Sequence, residues 1–151
     1  MAINKLVLKN KMLELEAEVI ATAEQSYQMW LNEVRIDRDM TVEEDDLAQS
    51  ATNTNIAEQY EHQVHDHQHH IDLIEATPFE PRDVVEPGAI VKLEGSERCL
   101  IIAAPTAAFE CEGITFLGVS PHAPIILAMA GLEQGDSFDF QGREHTIALI
   151  A

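Results

Sequence analysis

Six carboxylates lie close together near the middle of the chain, between two long segments of helical pattern. Thr41 followed three residues later by Glu44 is a capping box, which predicts that a helix starts at Thr41. Acidic residues in a first helical turn also favour the helix dipole, so a solvated helix start explains one or two of the six. Like charges this close repel one another, so a charged tip that inserts into a partner is the second hypothesis. The six are Asp37, Asp39, Glu43, Glu44, Asp45 and Asp46.

A second group with possible chemistry is the stretch EHQVHDHQHH, residues 61–70, which holds five of the seven histidines. On a helix, His62, His65 and His69 lie near one face, a geometry that could bind Zn²⁺ or Ni²⁺. The alternative is a polar helix face with His67 packed in a seam between helices. We favour the alternative because the spacing is irregular and no cysteine lies nearby. An intermediate hypothesis is a pH-sensitive segment, since imidazoles titrate near pH 6.5.

The composition restricts the partners of this chain. Nine Lys and Arg oppose 27 Asp and Glu, for a formal net charge of −18. Such a charge repels nucleic acid and anionic membranes, so we expect no independent nucleic-acid binding and no membrane binding. Cys99 and Cys111 lack metal-type spacing and are typical of reduced, buried thiols. No apolar run approaches the roughly 18 residues of a membrane span. We therefore expect a soluble, cytoplasmic protein.

Two long helices must position the acidic stretch. Residues 4–35 contain neither Pro nor Gly, and residues 41–75 follow with helical periodicity. In each segment, apolar side chains recur at coiled-coil spacing. We predict that residues 1–76 form an antiparallel coiled-coil hairpin with the carboxylates at its tip. The first row is Leu6, Leu13, Ile20, Tyr27 and Val34, and the second is Ala57, Tyr60, Val64, His67, Ile71 and Ile74.

The remainder of the chain has a different period. Three prolines and a glycine in TPFEPRDVVEPG, which starts at residue 77, predict a linker over residues 77–87. The period then shifts toward two, which predicts strands at 89–94, 98–104, 113–119, 137–140 and 144–150. The short apolar segment 123–131 has Pro near its start and Gly at its end, which is typical of a helix. We predict an α+β protein, in which residues 88–151 form a small antiparallel sheet domain with one short helix.

The segment APIILAMAGLEQGDSFDF, residues 123–140, resembles the Gre transcript-cleavage factors of bacteria. Those factors have a Pro-initiated helix that ends at Gly, then acidic residues, Gly-Asp and an exposed strand. The preceding EPGAIVKLEG resembles the first strand after the linker of that family, and the order of helical hairpin, linker and sheet domain is the same. The matching residues of the segment are Pro124, Ala128, Gly131, Glu133, Gly135 and Asp136.

The resemblance implies an FKBP-like sheet domain and RNA polymerase as the partner. The sheet domain would dock at the rim of the polymerase secondary channel, with Pro124, Glu133, Asp136 and Phe138 as its contact residues. The hairpin would enter the channel, where the tip carboxylates would help to hold a polymerase-bound Mg²⁺ and a water for cleavage of a backtracked transcript. The protein would then be an accessory factor and not an enzyme by itself. It would have no cofactor of its own and would share magnesium with the polymerase.

The tip departs from the family pattern, which places an Asp and a Glu three residues apart. In one register Asp46 and Leu47 match, but Gln49 replaces the second acid; in the other, Glu44 matches and Thr41 replaces the Asp. The first alternative is therefore a channel-binding regulator or inhibitor that does not stimulate cleavage. The second is an FKBP-like interaction module unrelated to transcription. Prolyl isomerase activity is disfavoured, because an isomerase pocket needs a cluster of aromatic residues and this half of the chain has few.

Overall fold

The chain has two long helices followed by a six-stranded mixed sheet with one short helix. In the computed structural model, the backbone is described for residues 3–38 and 46–151, and the side chains for residues 3–33 and 55–151. The helices are α1 (Lys5–Arg38), α2 (Asp46–Ala76) and α3 (Pro124–Met129). The strands are β1 (Ile90–Leu93), β2 (Arg98–Ile102), β3 (Phe109–Cys111), β4 (Ile114–Val119), β5 (Ser137–Phe140) and β6 (Arg143–Ile150).

The sheet has the strand order β3-β4-β2-β1-β6-β5, and the prediction of an antiparallel sheet is wrong for one pair of strands. Strands β2 and β4 run parallel, with Cys99 opposite Phe116, and all other pairs are antiparallel. The parallel pair arises because the chain crosses to β3 at the sheet edge and returns as β4 beside β2. The crossing segment passes close to Gly118, whose amide donates a hydrogen bond to the Thr106 hydroxyl over 3.0 Å. A Cβ atom at Gly118 would lie 2.5 Å from the carbonyl oxygen of Ala104.

Two hairpins close through pairs of residues with positive φ. Glu112 and Gly113 have φ values of 52° and 79°, and Gln141 and Gly142 have 53° and 75°. Positive φ at both central residues is typical of the two-residue turn whose twist matches that of the flanking strands. These turns join β3 to β4 and β5 to β6. The second turn falls in the gap between the strands predicted at 137–140 and 144–150, whereas β3 was not predicted as a strand.

Contacts divide the chain into two compact units, residues 1–15 with 70–151, and residues 16–69. The boundary falls within the two long helices, not at the proline-rich segment. In the first unit, alternate strand residues face two hydrophobic clusters on opposite sides of the sheet. Ile90 and Ile101 face the cluster that contains Leu8, Met12 and Ile74 of the long helices. On the other side, the cluster includes Val91, Ile102 and Ile147, with Ile126 and Met129 of α3.

The unit of residues 16–69 consists of paired segments of α1 and α2. Glu16 contacts His67, and Tyr27 stacks on Tyr60 with ring centroids 4.3 Å apart. Residue numbers rise along one helix as they fall along the other, so these segments run in opposite directions. Trp30 stacks on Tyr27 with centroids 5.7 Å apart and extends the aromatic contact.

The apolar row predicted for α2 is confirmed, because all six of its residues are buried or half-buried. The row predicted for α1 is wrong at its start, because Leu6 is 67% exposed. Leu8 and Met12 are buried instead, and the same face continues through Glu16 and Ala23. The buried face of α1 is thus rotated from the heptad row. No helix among the described residues combines the length and apolar character that a membrane span requires.

Candidate functional site

The acidic stretch lies largely outside the described residues. Asp39, Glu43, Glu44 and Asp45, together with the predicted cap at Thr41, have no described structure. Asp37 lies in the last turn of α1 and Asp46 is the first residue of α2, in both cases with the backbone alone described. The predicted role of these carboxylates therefore stays a prediction.

Residues 124–140 form a helix, a tight turn and a strand. Helix α3 begins with Pro124 in its first turn and ends before Gly131, whose φ is 77°. Pro suits a first turn because its missing N–H has no partner there in any helix, and a positive φ after a helix favours Gly. Ile126 and Met129 bury one side of the helix, whereas Leu127 is 61% exposed. The predicted contact residue Pro124 is also exposed.

Asp136 closes the turn between α3 and β5. Its carboxylate accepts a hydrogen bond from the backbone amide of Glu133 over 2.8 Å, and its own amide donates to the Glu133 carbonyl over 3.1 Å. The backbone of Gly135 and Asp136 also bonds to Ile147 of β6. The backbone of Glu133 also forms an isolated antiparallel β-bridge with Val84 of the proline-rich segment. The turn is therefore bonded on two sides, and the side chains of Glu133 and Asp136 are both exposed.

Phe138 occupies a different position from the other predicted contact residues. It is 7% exposed and packs in the hydrophobic cluster of α3 and β6. Its ring also stacks on His145 with centroids 5.5 Å apart. Phe138 therefore packs under α3 in the core. Leu127 of α3, which is exposed, is an apolar side chain that a partner could contact. Periodicity indicated a strand at residues 137–140 but did not indicate which face of it is covered.

A buried lysine lies at the start of α1, where sequence analysis predicted none. Lys5 is 8% exposed, and its ammonium donates to the carbonyl oxygens of Glu80 and Gly88. Burial is the main cause that lowers the pKa of Lys5 to about 8, and the nearby Arg82 lowers it further, while Glu86 acts in the opposite direction. The two carbonyls come from the proline-rich segment, so Lys5 ties this segment to α1. Lys5 also lines a groove of about 450 Å³.

In the histidine-rich part of α2, the structure agrees with the favoured prediction of a polar face with His67 packed between the helices. His62, His65 and His69 are exposed. His67 instead contacts Glu16 of α1, with 2.5 Å between Nδ1 and a carboxylate oxygen. Glu16 is only 3% exposed, so a charged side chain takes a core position in the helix pair. The signal that could have revealed it is its place, four residues after Met12, on the face that Leu8 and Met12 define.

No family model matches this chain, and none of the curated proteins matches it either. The function is therefore inferred from the segments described above.

Proposed function

We propose that this protein is a bacterial transcription elongation factor of the Gre type, which binds RNA polymerase through the secondary channel. The observation that carries the proposal is the geometry of residues 124–140. A Pro-initiated helix ends at Gly131, and Asp136 closes a tight turn before β5. This order of elements agrees with the order that the resemblance implies. The exposed Leu127 and Glu133 give this segment an apolar and an acidic group, which suit a partner surface with apolar and basic residues.

The long helices support the proposal because a channel-binding factor needs an arm. Helix α1 has 34 residues and α2 has 31. At about 1.5 Å per residue, each helix is roughly 45–50 Å long. Their opposite directions in the unit of residues 16–69 suit an antiparallel coiled-coil hairpin, and the mixed sheet would be the FKBP-like domain. In this proposal residues 1–76, 77–87 and 88–151 act as arm, linker and docking domain.

The acidic stretch between the helices would meet the active centre of the polymerase. Carboxylates there would help to hold a Mg²⁺ ion with its waters, as two-metal cleavage of a phosphodiester requires. The strong negative charge would also favour a basic partner surface and oppose binding to free RNA or DNA. The protein would supply only part of a catalytic site, so it would act as an accessory factor.

A binding competition tests the docking surface. Labelled full-length protein is titrated with purified bacterial RNA polymerase, with and without a competitor that fills the secondary channel. We expect Leu127→Glu and Glu133→Lys each to weaken binding about tenfold, since a charge is placed in, or reversed at, a desolvated contact. The matched controls are Leu6→Glu and Glu97→Lys, which make the same changes at other exposed positions and should bind as the wild type does.

The outcomes separate the proposal from its alternatives. Binding that the competitor abolishes supports the channel as the site. Binding without any effect on transcript cleavage would favour the regulator or inhibitor that lacks cleavage stimulation. Failure to bind polymerase at micromolar concentration would refute a Gre-type function and leave the interaction module unrelated to transcription.

A further inference from the structure

Two cations line one groove of this strongly acidic protein. Lys5 and Arg82 both border the groove of about 450 Å³ at the start of α1, and all residues of its lining belong to the first compact unit. The bonds from Lys5 to the carbonyl oxygens of Glu80 and Gly88 use two of the three N–H groups of its ammonium. Burial and then the nearby Arg82 lower the pKa of Lys5, so the two cations repel each other. An anion bound beside them would relieve this repulsion.

The guanidinium of Arg82 has a donor that the fold does not satisfy. Its Nη1 lies 3.1 Å from a carboxylate oxygen of Glu86, so one side of the group is paired. Its Nε is buried and has no hydrogen-bond partner among the described residues. A buried N–H without an acceptor is costly, and carboxylates match the planar fork of a guanidinium. Because 23% of the Arg82 side chain is exposed, an acceptor in the groove can reach this group.

Apolar side chains form most of the remaining lining of the groove. They are Ile3, Leu6, Phe79, Pro81 and Ile150. Leu6 is 67% exposed, so an apolar side chain faces solvent beside the two cations. The volume of the groove falls within the roughly 300–1,000 Å³ that is typical of small-molecule sites, which combine apolar walls with a few polar groups. These features suit a ligand that has one anionic end and an apolar body.

We propose that this groove binds one small monocarboxylate with an unbranched apolar chain, of the class of medium-chain fatty acids. The carboxylate would accept hydrogen bonds from Nε of Arg82 and from the ammonium of Lys5. The apolar chain would pack on Leu6 and Phe79 and remove their exposed surface from water. The exposed Asp83 also lines the groove and would repel a dianion more strongly than a monoanion, which favours a single carboxylate over a phosphate. The site shares no residue with the proposed docking surface.

Isothermal titration calorimetry of the full-length, delipidated protein with octanoate tests the site. We expect one equivalent per chain, with a dissociation constant below about 1 mM. Acetate lacks the apolar chain and 1-octanol lacks the charge, so each should bind at least about tenfold more weakly than octanoate. Arg82→Gln should weaken octanoate binding at least about tenfold, because the charged donor is lost. The matched control is Arg143→Gln, which makes the same change at an exposed arginine and should bind octanoate as the wild type does.

Leu6→Glu is the second variant, because Leu6 is exposed and its replacement leaves the core intact. The new carboxylate would repel that of the ligand and should weaken octanoate binding about tenfold. Leu127→Glu makes the same change at another exposed leucine and should have no effect on octanoate. Circular dichroism checks that each variant is folded, and if Arg82→Gln does not fold, Leu6→Glu decides the result. Wild-type affinity in either folded variant would overturn the proposal. Equal losses in the matched controls, equal binding of 1-octanol, or no binding heat for the wild type at two temperatures would overturn it as well.

Discussion

The ammonium of Lys5 lies 2.8 Å from the carbonyl oxygen of Gly88, a residue 83 positions later in the chain. A second bond, 2.5 Å long, reaches the carbonyl oxygen of Glu80. One cation thereby ties the first turn of α1 to both ends of the proline-rich segment. The ammonium compensates two backbone acceptors, but the protein must bury a charge to achieve this.

We expect the stability of the wild type to rise with pH relative to a Lys5→Met variant. The pKa of Lys5 is about 8 in the folded protein and 10.5 as its ordinary value. Between these values the unfolded chain binds more protons than the folded chain, so the free energy of unfolding increases as pH rises. The increase should be at most about 3 kcal/mol. Urea unfolding of both proteins from pH 7 to 10.5 measures it, and parallel curves would contradict the lowered pKa.

Gly88→Ala should be strongly destabilising. Its φ is +90°, and a Cβ atom there would lie 2.0 Å from the carbonyl oxygen of Pro78. Left-handed strain alone costs about 1–2 kcal/mol, and the clash adds to it, so we expect a loss above about 2 kcal/mol. Gly95→Ala is the matched control, because its φ is +78° but no atom lies within 4 Å of the added Cβ. Thermal unfolding followed by circular dichroism compares them, and equal losses would show that the contact with Pro78 does not matter.

Phe138→Ala should lower the stability of the fold itself, and its effect should not be limited to partner binding. The ring is 7% exposed in the cluster of α3 and β6, and loss of a buried Phe side chain costs about 3–5 kcal/mol. Leu127→Ala removes a side chain that is 61% exposed and should change stability by less than about 0.5 kcal/mol. Urea unfolding measures both variants. A Phe138→Ala protein as stable as the wild type would restore Phe138 as a candidate for the docking surface.

Replacement of Glu43, Glu44, Asp45 and Asp46 by Ala should abolish the effect of the protein on transcript cleavage while polymerase binding persists. The reason is that these carboxylates would provide ligands for a polymerase-bound Mg²⁺. A cleavage assay on stalled, backtracked polymerase at several Mg²⁺ concentrations measures the effect, and we expect stimulation by the wild type. Replacement of Glu94 and Glu97, two exposed acids of the sheet domain, by Ala is the control. Identical activity of the quadruple variant and the wild type would leave the charge as a solvated helix start.

Local patterns in the sequence were sufficient for most of the helices and strands. The row from Ala57 to Ile74 identified the more buried face of α2, because burial along one helix follows its own period. The turn at Gln-Gly and the two ends of α3 are also predictable from residue types, because Gly tolerates positive φ and Pro suits a first helical turn. Each of these features depends on residues that are close together in the chain.

Tertiary structure alone decided the features that depend on distant residues. Leu6 and Leu8 are equally apolar, and only packing against the sheet selects Leu8 for the core. The parallel pairing of β2 with β4 depends on where the crossing segment passes over Gly118. Lys5 and Glu16 have charges that favour solvent, and they are buried because carbonyl oxygens and an imidazole from remote segments compensate them. The identity of a Lys or Glu residue does not reveal which distant group will pair with it, because the two groups come together only when the chain folds.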